Sequence, residues 1–336
     1  MPPPPPLLQA PGVKTDVTVF RKETVTSLAG SPIASRIMQI GESEQGGLLV
    51  VAEEGLRWVD SNGQLTREVT FDDRLFRHRL LTLPDGRLGV GGFASRGRSA
   101  LILDLQGREV LRLKGKWYET RVPQFASVIA GPEPELLLPD KLDVRIFDLK
   151  GVLLGTVSSP SYATIKTVVQ ADDDVEYEIA FVKTSLRKGP IEALVMNADG
   201  SVISEWSDGE GGWLSFVPEL DDTKLWGITS EGFTAWNTQG KRVTTFPAPD
   251  ADYLRFVIGT RFKGHTALIG SGGGYSNLSL LCVFDDERRL VYQEVFPFRT
   301  YAIFADPNGS DFFVGVGYDV VRYSIADPAI GKEGAR

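Results

Sequence analysis

A four-residue turn of the form Asp/Asn-x-x-Gly recurs along this chain, and nothing else in the sequence constrains its fold as strongly. It closes RWVDSNGQLTREV, LILDLQGREVLRL, RIFDLKGVLLGTV, LVMNADGSVISEW and TAWNTQGKRVTTF, with first residues Asp60, Asp104, Asp148, Asn197 and Asn237. Two degenerate copies follow, LCVFDDERRLVYQEV at Asp285 and VRYSIADPAIG at Asp327, so that successive anchors are 44, 44, 49, 40, 48 and 42 residues apart. Asp or Asn starts such a turn by accepting a bond from its own backbone two residues on, and Gly supplies the positive φ that closes it. Each copy therefore predicts a β-hairpin.

Two further strand-like runs precede each hairpin, for example ASRIMQIG and GLLVVAE before Asp60, or WLSFVPE and KLWGITS before Asn237. Units of four strands at a period of about 40 to 45 residues are the blades of a β-propeller. No window sustains the 3.6-residue apolar period of a helix without Gly, Pro or turn residues, so almost no helix is expected. The seventh copy runs out of chain before its outermost strand. The run DVTVFRKETV, Asp16 to Val25, has a strand pattern without a unit of its own and is expected to complete that last blade and cover its open edge. The expected organisation is a Pro-rich tail over 1–12, one propeller domain over 13–331 in which 13–26 is the completing strand, and a short tail over 332–336.

With its Asp-x-x-Gly hairpins and one Trp58-Val59-Asp60, the chain resembles the seven-bladed β-propeller superfamily, in particular the WD40-like, NHL and pyrroloquinoline-quinone-type repeat groups. The resemblance covers about residues 13–331. It implies an all-β fold of seven four-stranded antiparallel blades, but no particular chemistry, because propellers carry enzymes, lectins, sensors and scaffolds alike.

Composition narrows the function. With 36 basic and 44 acidic side chains the net charge is −8, which lacks the electrostatic footprint of a nucleic-acid binder. A single cysteine, Cys282, and two histidines, His78 and His265, provide neither a disulfide nor a zinc cluster, and no cofactor is expected. No apolar run reaches the length of a membrane span. Read as it stands, MPPPPPLLQAPG has neither the basic region nor the apolar run of a signal peptide. A cytoplasmic location is the expectation, or a periplasmic or extracellular one if the sequence has been processed or trimmed. The prolines at 2 to 6 suit an extended spacer or an SH3-type ligand.

Candidate chemistry is sparse. Neither histidine sits in a Gly-x-Ser-x-Gly elbow, the acidic run Asp172 to Asp174 lacks the alternating spacing of a calcium loop, and Gly270 to Asn277 is not followed by the Lys-Ser/Thr of a phosphate loop. The sequons at Asn277 and Asn308 matter only in a glycosylating cell. An aromatic does recur 14 or 16 residues after six anchors: Phe76, Tyr118, Tyr162, Trp213, Tyr253 and Tyr301. These positions start inner strands, near the mouth of a propeller channel. The middle loops expected on the same face, GFASRGRS, KTSLRKGP and GSGGGYSN, bring Arg96, Arg98, Arg187 and Lys188, and Arg299 joins them.

Arg36, Arg79 and Arg121 stand at matching places in adjacent blades. Either these rings wedge blades together and the arginines pair with carboxylates such as Glu119 or Asp73, or they form a recognition surface for a carboxylate or phosphate. The expected function is a non-enzymatic module that binds a protein, a peptide or a small anionic ligand. The alternative is a lyase or hydrolase using channel carboxylates and arginines.

Overall fold

The computed structural model describes residues 20–33, 35–43, 46–71, 75–82, 87–94, 97–104, 106–114, 127–129, 135–140, 143–158, 164–169, 178–183, 191–208, 214–216, 224–249, 254–272, 278–306 and 309–325. Among them every regular element is a strand. After β1 (Phe20–Ser27), β2 (Ile37–Glu42), β3 (Leu48–Ala52), β4 (Gly55–Val59) and β5 (Leu65–Thr70) form the first sheet. The second holds β6 (Leu75–Thr82), β7 (Leu88–Ala94), β8 (Gly97–Leu103) and β9 (Glu109–Lys114), and the third β10 (Ser127–Ile129), β11 (Glu135–Asp140), β12 (Asp143–Asp148) and β13 (Leu153–Ser158). The fourth holds β14 (Thr164–Val169), β15 (Glu178–Lys183), β16 (Ile191–Asn197) and β17 (Val202–Asp208). The fifth holds β18 (Leu214–Phe216), β19 (Leu225–Thr229), β20 (Gly232–Trp236) and β21 (Arg242–Pro247), and the sixth β22 (Leu254–Phe262), β23 (His265–Gly272), β24 (Ser279–Asp285) and β25 (Leu290–Phe296). Last come β26 (Ile303–Ala305), β27 (Asp311–Val316) and β28 (Asp319–Ile325).

All pairings within these sheets are antiparallel and follow chain order, with one exception. In the last sheet β1 pairs with β28, from Phe20↔Ile325 to Ser27↔Asp319, giving the order β1-β28-β27-β26. The completing strand expected over Asp16 to Val25 is thus found over Phe20–Ser27, because it follows the whole length of β28 and continues into a bond from the Leu28 amide to the Tyr318 carbonyl. Phe20 anchors it, buried in edge-to-face contact with Tyr292 at 5.1 Å and Phe312 at 5.7 Å. The unsplit run of apolar residues in a strand such as LLCVF also finds its reason here. Leu280, Cys282 and Phe284 join a core cluster with the fifth sheet, while the alternate residues Leu281 and Val283 join one with the last sheet. Likewise Val50 packs against Ala302 and Val320 of the last sheet, and Leu49 and Val51 face Val90 and Leu101 of the second. A sheet sandwiched between two others buries both faces, so the period-2 alternation of a half-exposed strand disappears.

The repeated turns take the predicted form. Asp60 Oδ1 accepts bonds from the amides of Asn62 and Gln64 at 2.9 and 2.8 Å, and the Gly63 amide returns to the Asp60 carbonyl at 3.0 Å. The same backbone bond closes the turns at Asp104, Asp148, Asn197, Asn237 and Asp285; the anchor at Asp327 lies outside the described residues. One expectation is corrected. GFASRGRS is mostly strand and not a long loop, since the β7–β8 ladder runs on to Ala94↔Gly97 and so carries Arg98 into β8 opposite Phe93. Similarly, Gly270 to Gly272 belong to β23.

Candidate functional site

The turns that pattern the sequence also control how the sheets meet. Each turn glycine has φ between 78° and 88° across Gly63, Gly107, Gly151, Gly200 and Gly240. Four of them press on the outer strand of the preceding sheet: Gly107 on Val69, where an added Cβ would stand 2.8 Å from a methyl, Gly151 on Leu111, Gly240 on Trp206, and Gly63 on Val25 of β1, 2.5 Å from its carbonyl oxygen. β1 thus receives the turn of the first sheet as the other outer strands receive theirs. Gly200 meets nothing within 4 Å.

The sixth sheet breaks the rule. Its turn has the same bonds, with Asp285 Oδ1 accepting from Glu287 and Arg289 at 3.0 and 2.9 Å, but Arg288 occupies the glycine position with φ 63°. Where a glycine would dock on the fifth sheet there is instead a cavity of about 630 Å³. Its floor includes Trp226 and Phe246, its outer wall Val243 and Thr244 of β21, and its other side the β22–β23 hairpin from Arg261 to Thr266 together with Asp285, Asp286 and Arg288. Lys224 completes the lining. The only two non-glycine residues with positive φ among the described residues, Lys263 at 23° and Arg288 at 63°, both border this cavity. Side chains with a Cβ enter this region at a cost of roughly 1–2 kcal/mol; Lys263 does so with Gly264 in the two-residue loop of the β22–β23 hairpin, where positive φ is the usual geometry, whereas Arg288 does so where the other turns have glycine.

Charge and hydrogen bonding point the same way. Among the described residues lining the cavity, the cations are Lys224, Arg261, Lys263 and Arg288 and the carboxylates Asp285 and Asp286. Asp285 is already committed to Arg289, whose Nε donates to it at 2.7 Å; desolvation opposes its charge, but the bonds from the Arg289 amide and guanidinium prevail and hold the carboxyl below its usual range. Arg261, Lys263 and Arg288 take part in no ion pair among the described residues. Trp226 is fully buried, and its indole N–H has no acceptor. A buried Trp N–H normally finds one. His265 lies flat on Phe262, ring centroids 5.4 Å apart at 20°, with Nδ1 donating to the Lys263 carbonyl at 3.0 Å. The arrangement offers exposed positive charge at the edge of a cavity, which is the chemistry of an anion-binding site.

The residues singled out from the sequence fall elsewhere. Arg36 is exposed just before β2, Arg79 lies on β6 opposite Gly91, Arg98 lies on β8, and Tyr301 is half-buried just before β26. Arg96, Tyr118, Arg121, Tyr162, Arg187, Trp213 and Tyr253 lie outside the described residues, as do Lys188, Glu119 and Asp73. The cavity sits at the opposite ends of the strands from the junctions where those aromatics recur, beside the first and third turns of the sixth sheet. Its sequence signal was the degenerate DDER turn, in which a cation replaces the repeated glycine.

Neither a family model nor a curated protein sequence matches the chain. Solved structures do. Virginiamycin B lyase from Staphylococcus aureus superposes with a TM-score of 0.61 at 12% identity, over 92% of this chain and 100% of that one. BBS1N, solved in complex with ARL6DN, superposes with a TM-score of 0.62 at 14% identity, over 93% of this chain and 97% of that one. Both are β-propellers, and this chain has the β-propeller fold.

Proposed function

We propose that the chain is a single seven-bladed propeller, residues 13–331 with short tails, closed by β1 on the last blade, and that it works as a non-enzymatic binding module for an anionic group. The seven four-stranded sheets and the packing of the last on the first support the closed ring. The observation that carries the binding function is the replacement of a turn glycine by Arg288 at positive φ, beside a cavity whose Arg261, Lys263 and Arg288 take part in no ion pair among the described residues. Cations without a carboxylate partner bind a carboxylate or phosphate without first breaking an ion pair. Such a group reaches the cavity on a small molecule or on an acidic segment of a protein partner; BBS1N is a propeller solved with a protein bound to it.

Calorimetry with a hexaglutamate peptide and with inorganic pyrophosphate, at low and at moderate salt, tests the reading. At least one should bind, more weakly as salt screens the charges, and Arg261→Gln with Lys263→Gln should weaken binding by about tenfold or more at an unchanged melting temperature. If neither anion binds at low salt, the site is not an anion site.

A further inference from the structure

The outer strands of the seven sheets differ in what they present along their free edges. An unpaired edge is a row of amide and carbonyl groups that accepts another strand, and charged side chains are the usual protection against it. β1, β5, β9, β17, β21 and β25 each carry at least one charged residue. β13, with the sequence LLGTVS, carries none. Among the described residues no strand pairs with its outer edge. Its exposed side chains are apolar as well. Val152, Leu153 and Leu154 are 56, 52 and 54% exposed in succession, whereas the exposed apolar residues Leu65, Val110, Val202 and Val243 of other outer strands stand singly. Single exposed aliphatics are ordinary; three in a row on a soluble surface call for a function. The register shift at Leu154 does not account for them, because an equivalent one recurs in β5, β9, β17, β21 and β25.

A strand edge fixes the chemistry of what covers it. The occupant is an extended strand that supplies the backbone hydrogen bonds, and it is uncharged, because a charge laid on this edge would lose water without gaining a partner. β13 of a second copy meets both conditions. We propose that two copies of the chain pair antiparallel through β13, about a two-fold axis near Gly155. That axis lays Val152, Leu153 and Leu154 of each copy along Thr156 to Ser158 of the other, so one closed contact covers both apolar runs. Gly155 places no Cβ at the axis, and no like charges meet. The nearest charge along the chain, Lys150, is five positions from the axis. Its two copies therefore stand roughly 30 Å apart, beyond the screening length of about 8 Å. Six residues of strand and three half-exposed side chains per copy fall short of the roughly 1,600 Å² of a permanent interface, so the pair is weak and reversible.

Analytical ultracentrifugation of the full chain between about 1 and 200 μM tests this. The wild type should sediment as a monomer–dimer equilibrium with a micromolar dissociation constant. Leu154→Lys and Leu154→Glu should each weaken association by about tenfold or more, because each sets like charges about 7–8 Å apart across the axis. Mixed in equal amounts the two variants should associate again, a result that no folding defect produces. Val202→Lys, at the exposed start of β17, should leave the equilibrium as it is in the wild type. A chain that stays monomeric at the highest concentration overturns the self-pairing. If that monomer binds a capped Thr-Val-Thr-Val-Thr peptide and the Leu154→Lys variant does not, the edge belongs to a segment of another protein instead. A dimer that survives both Leu154 variants overturns the assignment to β13.

Discussion

Replacing Arg288 by Gly should make the protein more stable and less able to bind anions. Arg288 holds φ 63° where five equivalent turns have Gly, and it makes no ion pair among the described residues that the change would remove. Relief of the left-handed conformation returns roughly 1–2 kcal/mol, and the freer unfolded chain of Gly takes back roughly 0.4–1 kcal/mol. The net gain is about 0.5–1 kcal/mol. With an unfolding entropy of about 2.1 cal/mol/K per residue, a chain of 336 residues unfolding as one unit would rise in Tm by only about 1 °C. Guanidinium unfolding with linear extrapolation, replicated against wild type, is therefore the better assay. Arg288→Ala is the essential companion, because alanine keeps the Cβ strain and loses the charge. It should match wild type in stability and match the glycine variant in anion affinity. The reasoning fails if Arg288→Gly is no more stable than Arg288→Ala, which would mean that the backbone is not strained, or if both variants bind anions like the wild type.

Other outcomes follow from the last sheet and its neighbour. Deleting residues 1–26 removes most of β1, while Phe20→Ala empties a site among Phe262, Tyr292 and Phe312; the point variant should cost about 3–5 kcal/mol in denaturant unfolding, and the deletion should cost more and aggregate, whereas deleting residues 1–12 should change neither. Glu294 accepts bonds from Tyr292 at 2.6 Å and Tyr323 at 3.0 Å and pairs with Lys22, so Glu294→Gln should lower stability by about 1–3 kcal/mol. Burial, and secondarily the Glu294 charge, raises the ionisation of both tyrosines far above the usual range. The folded state therefore keeps phenol protons that the unfolded chain releases above about pH 10, and stability, full below that pH, should fall as pH rises past it. A double Tyr292→Phe, Tyr323→Phe variant should show a flatter alkaline limb in denaturant titrations. Burial also pushes the Cys282 thiol up; Ellman's reagent should label it only after unfolding, and rapid labelling of the native protein would contradict its place in the core.

Local chemistry was legible in the sequence because its partners are close in the chain. The Asp60 turn is complete within five residues, from Asp60 to Gln64, and the apolar runs on either side announce strands whatever they later pack on. The turn at Asp285 was legible too, even with Arg288 in the glycine position, since the Asp side chain still finds the amides of Glu287 and Arg289. What that substitution does to the molecule was not legible. A glycine docks on an outer strand donated by a different sheet, so the cavity left by Arg288 depends on Val243, Thr244 and Trp226, more than forty positions away. The arginines and aromatics chosen from their spacing share a sequence interval, but whether they meet depends on how far each ladder runs, and the β7–β8 ladder already carries Arg98 out of its expected loop. The amino-terminal strand shows the same division. Its strand pattern is local, while its place is decided by Phe20 in an aromatic cluster and by pairs such as Lys22 with Glu294 and Glu23 with Arg322, 272 and 299 positions apart. The sequence alone determined the repeat, the strands and the turns. Only the tertiary structure decided which surfaces those turns touch, because packing forms between residues that no short window of sequence holds together.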